Sequence, residues 1–570
     1  MKNIKIVKIA AVFAVIAFAG CTKLNENLGS TLTGSQAAAA LGPNGVSSLL
    51  QTAYNDLGGV FTGQDQVFSL EENSTDESLV PTRGGDWDDN GVWRVIHNHT
   101  WNADHGQVLS VFNNLNKINF DATNVLGFSP SASQAAQAKF LRAVALYYLL
   151  DLYGQFPIRN PGDNLLNAPT VMAGAAAATF IQSELTAAIP NLPTTGGANI
   201  ATQNAGNTLL MKVLLNKGMF ANRAAPTFAD ADMQQVISLG NAIIASAKYS
   251  YAANYFSNFS TTNSSSTESI LAYPNASGVS ANNSGPQARW MMTEHYNQET
   301  AYNPNSGWNG FSTIGDFYNS FGVVAPLTAT NASNRVAGFF TGVGAINNAD
   351  TAADKRLGGR VYPGVTNVSG MRPGFQIGQQ YNEAGVALKD RKGNPLAFDP
   401  AITSTMQEQG ANLELTGIRV PKYVPDFTNG TTYYEGPAGN WIQIFRYPDV
   451  VLMVAEAKLR AASTDNAGAL ALVNGLRAAR GAAPMVAPLT LLDNGTYANI
   501  SSTVDNPNCL LAERGRELYW ESVRRTDLLR FGVFNKIWQY KPTDDAHYNV
   551  YPVPSQALAS NPNLVQNAGY

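Results

Sequence analysis

The chain is poor in cysteine, histidine and charge. Its 570 residues hold two Cys and five His, too few for a disulfide framework or a thiolate metal cluster. Charged residues make up 14%, against roughly 25% in an ordinary soluble protein. The 37 Lys+Arg and 41 Asp+Glu leave a formal net charge of −4, which removes the basic excess that a nucleic-acid binder uses to displace counterions. Long apolar runs are missing too. Ile9–Ala19 is uninterrupted, but a helix needs about 20 such residues to cross a bilayer. Disorder is excluded by what is present, since 45% of residues are hydrophobic and the net charge is small. Gly (50) and Pro (28) together match the charged residues in number. The surface must therefore be polar through Asn, Gln, Ser and Thr.

The first residues form a leader. Lys2, Lys5 and Lys8 precede the apolar run, and small Ala19 and Gly20 precede Cys21, the pattern of a secretory signal peptide over residues 1–20. Phe18-Ala19-Gly20-Cys21 resembles the bacterial lipobox, with Phe18 in place of the usual Leu. The resemblance implies that Cys21 is acylated; several chains at about 0.8 kcal/mol per buried CH₂ would hold the protein at a membrane. Residues 21–44, rich in Thr, Gly, Ser, Asn and Ala, are expected to be a flexible tether. Cys509 then remains as a small buried residue at a helix start.

Beyond the tether, periodicity divides the chain into residues 45–250, 251–440 and 441–570. In the first part Leu141, Ala145, Tyr148 and Leu152 make a helical stripe within Gln134–Tyr153, stopped by Gly154 and Pro157. Thr179–Ile189, Thr208–Asn222 and Ala231–Ala247 also read as helices, with Asn207 or Thr208 and Asp230 as candidate N-caps. The middle part is dense in Pro, Gly, Asn, Ser and Thr yet carries many aromatics, so loops and short strands built for recognition are expected. In the last part, Asp449–Ala462 and a helix ending at Arg480 and Gly481 fit a tetratricopeptide-type hairpin. The fold class expected is mainly α, a helical-repeat scaffold split across the two ends of the chain, with a loop-rich face and a few short strands.

Motifs for chemistry are weak. His97 and His99 are two apart, a spacing for a strand and not for one helix face; with His105 they make a poor metal site. Asp86, Asp88, Asn90 and Gly91 imitate the start of an EF-hand loop, but His97 stands where calcium needs a bidentate Glu. Glu513, Glu517 and Glu521 share a helical face among Arg514, Arg516, Arg524 and Arg525, which suits structural ion pairs and opposes the raised pKa of a glycosidase acid. No metal and no cofactor are expected. Material for binding is better. Arg83, Asp86, Trp87, Asn90 and Trp93 lie in one turn-rich segment, and Trp290, Tyr296 and Trp308 in another. Flat aromatic faces beside planar amide, carboxylate and guanidinium groups are what a sugar requires, and neutral hydroxyls call for few formal charges.

The C-terminal part carries a recognisable signature. Glu513-Arg514-Gly515-Arg516-Glu517-Leu518 is followed by Glu521, Arg524, Asp527-Leu528, Arg530 and Gly532, and the chain closes on Tyr551-Pro552-Val553-Pro554 and Asn561–Tyr570. With Lys139–Ala143 leading to Leu152–Ile158, Arg446–Leu452 with Ala455-Glu456-Ala457, and the early acidic pair Asp76-Glu77, the chain resembles the SusD/RagB outer-membrane lipoproteins over most of its length. That resemblance implies a tetratricopeptide-type scaffold and a surface location through acylated Cys21. It also implies a TonB-dependent SusC-like transporter as partner, an oligosaccharide ligand and no catalysis. The family has no fixed ligand motif, so the eight glycan-site residues above rest on composition. Peptide capture, as in the RagB branch, is the alternative within the family, and a tethered glycoside hydrolase the alternative outside it.

Overall fold

The computed structural model describes residues 44–276, 288–298, 307–321, 354–358, 373–380, 386–423, 438–492, 509–542 and 544–570. The leader, Cys21 and the tether lie outside them. Among the described residues no helix is long and apolar enough to cross a membrane.

The N-terminal half supplies α1 (Gly45–Phe61), the short α2 (Val67–Glu72) and α3 (Val92–His97), then α4 (Gly106–Gly127), α5 (Ala132–Tyr153), α6 (Gly174–Ala188), α7 (Gln203–Ala221) and α8 (Asp230–Ala245). The C-terminal part supplies α9 (Tyr447–Arg460), α10 (Asn466–Ala479), α11 (Leu510–Leu518), α12 (Arg524–Arg530) and α13 (Ser555–Ser560). Six helices, α5 to α10, stand where periodicity puts them, α5 between a Ser131–Gln134 capping box and left-handed Gly154 (φ 71°). Two N-caps differ: Thr202 caps α7 through the Ala205 N–H, and Asp230 is the first helical residue, not the cap. Two further long helices, α1 and α4, were not read from periodicity. In α4 five Asn of weak helix propensity obscure a stripe of Val108, Val111, Leu115, Ile118 and Ala122, and burial of that stripe forms the helix.

The helices stack in series. α1 packs on α4, α4 on α5, α5 on α6, α6 on α7, α7 on α8, α8 on α9, and α9 on α10. This is the helical-repeat scaffold, and its hairpins are consecutive in space although about 200 residues separate α8 from α9 in sequence. Their contact is close: a Cβ on Gly240 would lie 2.2 Å from Val454 Cγ2.

The intervening residues make short strands. β1 (Thr82–Arg83) pairs in parallel with β7 (Gln407–Glu408), and β2 (Gln155–Ile158) with β3 (Thr170–Ala173) in an antiparallel hairpin on the scaffold. β4 (Ser269–Tyr273) pairs with β8 (Ile442–Arg446), placing the ends of the loop-rich part side by side, and β5 (Gly378–Gln379) with β6 (Ala397–Phe398).

Much of the chain's charge is inside. Every residue of α11 is buried, Cys509 directly ahead of it. Glu517 is bridged by Arg356, Arg446 and Arg480, and Glu513 by Arg356, Arg477 and Arg516. Glu456 binds Arg530 and Arg460, while Asp449 binds Arg514 and Lys212. The Arg/Glu signature is thus structural, a buried lattice joining α9 to α12 and the loop-rich part. It also encloses the polar segment Ser69–Ser78, whose residues are at most 1% exposed.

Candidate functional site

The segment after β1 is built from left-handed backbone. Arg83 and Asp86 exchange backbone hydrogen bonds of 2.8 and 3.1 Å across Gly84 (φ 67°). Trp87 (φ 60°), Asp89 (φ 38°), Asn90 (φ 57°) and Gly91 (φ 80°) then follow in the same region. Such strain in non-Gly residues persists only where the surroundings hold it. Here the Trp87 indole is the anchor: Nε1 donates to Trp308 O at 2.8 Å, and the ring lies against Gly310, where a Cβ would come within 2.3 Å of Trp87 Cε2. Trp93 and Phe311 meet it edge-on, with centroids at 5.3 and 5.4 Å, and Trp308 is tilted to it at 6.4 Å.

Tyr296 joins this cluster from the far side. Its hydroxyl donates to Asp86 Oδ2 at 2.5 Å, and the Arg391 guanidinium covers its ring at 3.8 Å. Arg391 Nε donates to Glu414 Oε1 at 2.7 Å, and His295 Nε2 lies 3.0 Å from Glu414 Oε2. Burial pushes the Glu414 carboxyl up, but hydrogen bonds from Arg391 outweigh it and hold it below the usual range. The side chains of Asp86 and Arg391 are 53% and 48% exposed. Trp87, Trp308 and Tyr296 are half-buried and Asn90 is exposed. The arrangement is a fixed aromatic shelf edged by one carboxylate and one guanidinium.

The structure therefore brings Asp86, Trp87, Tyr296 and Trp308 together at the surface, with Asn90 on the same loop. It does not bring Arg83, Trp93 or Trp290 there. Arg83 is 3% exposed, and its guanidinium donates inward to Thr416 O at 2.7 Å and Thr416 Oγ1 at 3.1 Å. Desolvation pushes its pKa down to about 10. Trp93 is 4% exposed and donates to Asp89 Oδ2 at 2.7 Å; Trp290 is 2% exposed in the core. Trp93 packs beneath Trp87, Arg83 ties β1 to the Thr416 segment, and Trp290 belongs to the core. Arg391 is the member that sequence reasoning missed. It sits in the Lys389–Asn394 turn, whose Asp390 accepts from the Lys392 and Asn394 N–H groups. The turn is legible in sequence, its nearness to Trp87 is not.

Neither metal motif assembles. Asp88 faces Arg94 at 3.1 Å and Asp86 accepts from the Tyr296 hydroxyl, so the EF-hand-like acids are engaged elsewhere. His97 Nδ1 lies 3.1 Å from Ser78 O and its Nε2 3.2 Å from Gln539 O. His99 is set between Asp544 and Ser74 O, and His105 Nε2 faces Val92 O at 3.0 Å. These rings fasten loops. Among the described residues no group of three or more His, Cys, Asp or Glu is arranged to hold a metal ion.

Residues 267–570, more than half of the chain, match the model of the SusD family. The chain belongs to the SusD family. A curated relative, the starch-binding protein SusD of Bacteroides thetaiotaomicron, is 23% identical over 545 residues, covering 88% of this chain and 85% of that protein. Among solved structures, a SusD superfamily protein from Parabacteroides distasonis has a TM-score of 0.62 at 16% identity, covering 95% of this chain and 100% of that one. Surface glycan-binding protein A from Bacteroides thetaiotaomicron, solved with laminarihexaose, has a TM-score of 0.59 at 15% identity, covering 92% and 99%. The SusD-like fold accounts for the helix stack and for the C-terminal part that closes it.

Proposed function

We propose that this SusD-family chain is a non-catalytic glycan-binding lipoprotein of the cell surface. It captures oligosaccharide on the Trp87–Trp308–Tyr296 shelf and delivers it to a TonB-dependent SusC-like transporter in the outer membrane. The observation that carries this reading is the half-buried aromatic cluster with Asp86 and Arg391 at its edge. Aromatic faces take the C–H face of a sugar ring while the carboxylate and guanidinium pair with its hydroxyls. The starch-binding relative and the laminarihexaose-bound neighbour support the ligand class. The buried acid beside the shelf opposes turnover. Glu414 is held ionised by Arg391, whereas a glycosidase needs one carboxyl kept protonated. The signal peptide and Cys21 support the membrane anchor.

Calorimetric titration with laminarihexaose and maltohexaose tests the binding, and product analysis after long incubation tests the absence of catalysis. Saturable binding without shortened products is expected. Release of shorter sugars would overturn the non-catalytic reading, and binding of oligopeptides in place of both sugars would favour peptide capture. Detergent pull-down from native membranes should recover a large barrel protein; recovery without one counts against the transporter.

A further inference from the structure

A second concavity lies on the scaffold and shares no residue with the shelf. It is a cavity of about 400 Å³ between α4, β2 and α13, within the size range of small-molecule sites. Its α4 wall is unusual. Asn113, Asn116, Asn119 and Thr123 recur at helical spacing on one face and all line the cavity. Asn costs up to about 0.7 kcal/mol per residue against Ala in a helix, so a stripe of it is a burden the scaffold does not need.

The carboxamides are fixed and incompletely used. Asn119 is 7% exposed; its Nδ2 donates to Pro157 O at 2.9 Å, and Oδ1 is buried at the wall with no protein partner. Asn116 Nδ2 donates to Phe112 O at 2.9 Å, and its Oδ1 is likewise without a partner. Gln556 and Ser560 add polar groups from α13, while Phe120, 42% exposed, Ile158 and Leu564 supply apolar faces. Among the described residues no carboxylate lines the cavity. Arg159, the cation among the described lining residues, turns both Nη atoms to the carbonyls of Asn164, Leu165 and Asn167. A charged ligand would find no counter-ion committed to it. Amides and hydroxyls beside a half-exposed aromatic ring match a neutral ligand with many hydroxyls and apolar C–H faces.

We propose that this cavity is a separate binding site for a neutral saccharide of one or two rings. The claim stands apart from the shelf, and the test separates the two. Full-length chain carrying Trp308→Ala is titrated with laminaribiose and with maltose, read by saturation-transfer NMR and calorimetry. The same titration is run with Ser560→Trp or Asn113→Trp added; these exposed rim positions on opposite walls fill the mouth and spare the buried lining. Thermal melts show which variants are folded. Binding of at least one disaccharide in the Trp308→Ala protein, weakened at least tenfold by a folded rim variant, is the expected result. Binding unchanged by a folded rim variant overturns the site. So does absence of binding of both disaccharides, or preferential binding of the tripeptide Ala-Pro-Ala.

Discussion

Arg524 and Asp76, 448 positions apart, meet inside the protein as a two-pronged ion pair, Nε to Oδ1 at 2.7 Å and Nη2 to Oδ2 at 2.6 Å. Both side chains are at most 1% exposed. Glu77 Oε1 stands 3.3 Å from the same guanidinium, and Arg524 Nη1 donates to Leu511 O at 3.0 Å. One arginine of the family signature thus fixes the early acidic pair against α11. Arg524→Met strips the counter-charge from the buried Asp76 carboxylate. The expected loss is about 3–5 kcal/mol, read from urea denaturation.

The buried carboxyls split into two groups with opposite pH behaviour. Burial raises Glu72 to about 7, beside hydrogen-bonded Glu77, which burial also raises. Burial opposes ionisation of Glu456 and Glu517 too, but guanidinium groups outweigh it and lower each to about 2. The raised group contributes stability below its unfolded pKa and loses it as pH climbs through 7. The lowered groups contribute above their unfolded pKa of about 4.3 and lose it as pH falls toward 2. Tm is therefore expected to peak near pH 5 and decline on both sides. Glu72→Gln should make the alkaline arm shallower without abolishing it, because burial raises Glu77 and Glu71 as well, and leave the acid arm unchanged, as followed by melts from pH 3 to 9.

Trp93 and Trp308 occupy one cluster with different exposures, so their alanine variants should separate. Trp93→Ala empties a core position and is expected to cost about 3–5 kcal/mol. Trp308→Ala removes half-buried ring surface and keeps the carbonyl that accepts from Trp87. Its glycan affinity should fall roughly tenfold, about 1.4 kcal/mol, with Tm near that of the parent. Calorimetry with laminarihexaose beside thermal melts distinguishes the two.

Two helical glycines should respond with opposite sign. Gly240→Ala drives a methyl to 2.2 Å from Val454 at the α8–α9 contact, with an expected loss of about 1–3 kcal/mol. Gly475, exposed on α10, has open space where its Cβ would be, and Gly475→Ala should gain about 0.5–1 kcal/mol. Paired denaturation curves check both.

The scaffold was legible where periodicity is local. The stripe of α5 and the α9–α10 hairpin needed only residues a few positions apart, and the C-terminal signature carried the family. α4 escaped because its asparagines break the pattern while its packing against α1 and α5 forms it. At the shelf, composition picked out Asp86, Trp87, Tyr296 and Trp308, which converge at the surface. It could not tell Trp87 from Trp93: six positions apart, they differ only in which neighbours surround the ring. Arg391 was out of reach, since its nearness to Tyr296 is made by pairing between distant loops.

The enclosure of Ser69–Ser78 by α11 and α12 also sets an order of events. Glu72 receives the Ser522 N–H at 2.5 Å, and Thr526 Oγ1 lies 2.5 Å from Asp151 Oδ2. These partners are synthesised last. A chain emerging from its N-terminus can assemble the α4–α8 hairpins early, because their contacts are local. It cannot bury the acidic segment until the final sixty residues arrive with their arginines. Until then the carboxyl groups of Ser69–Ser78 lack these partners and stay in water.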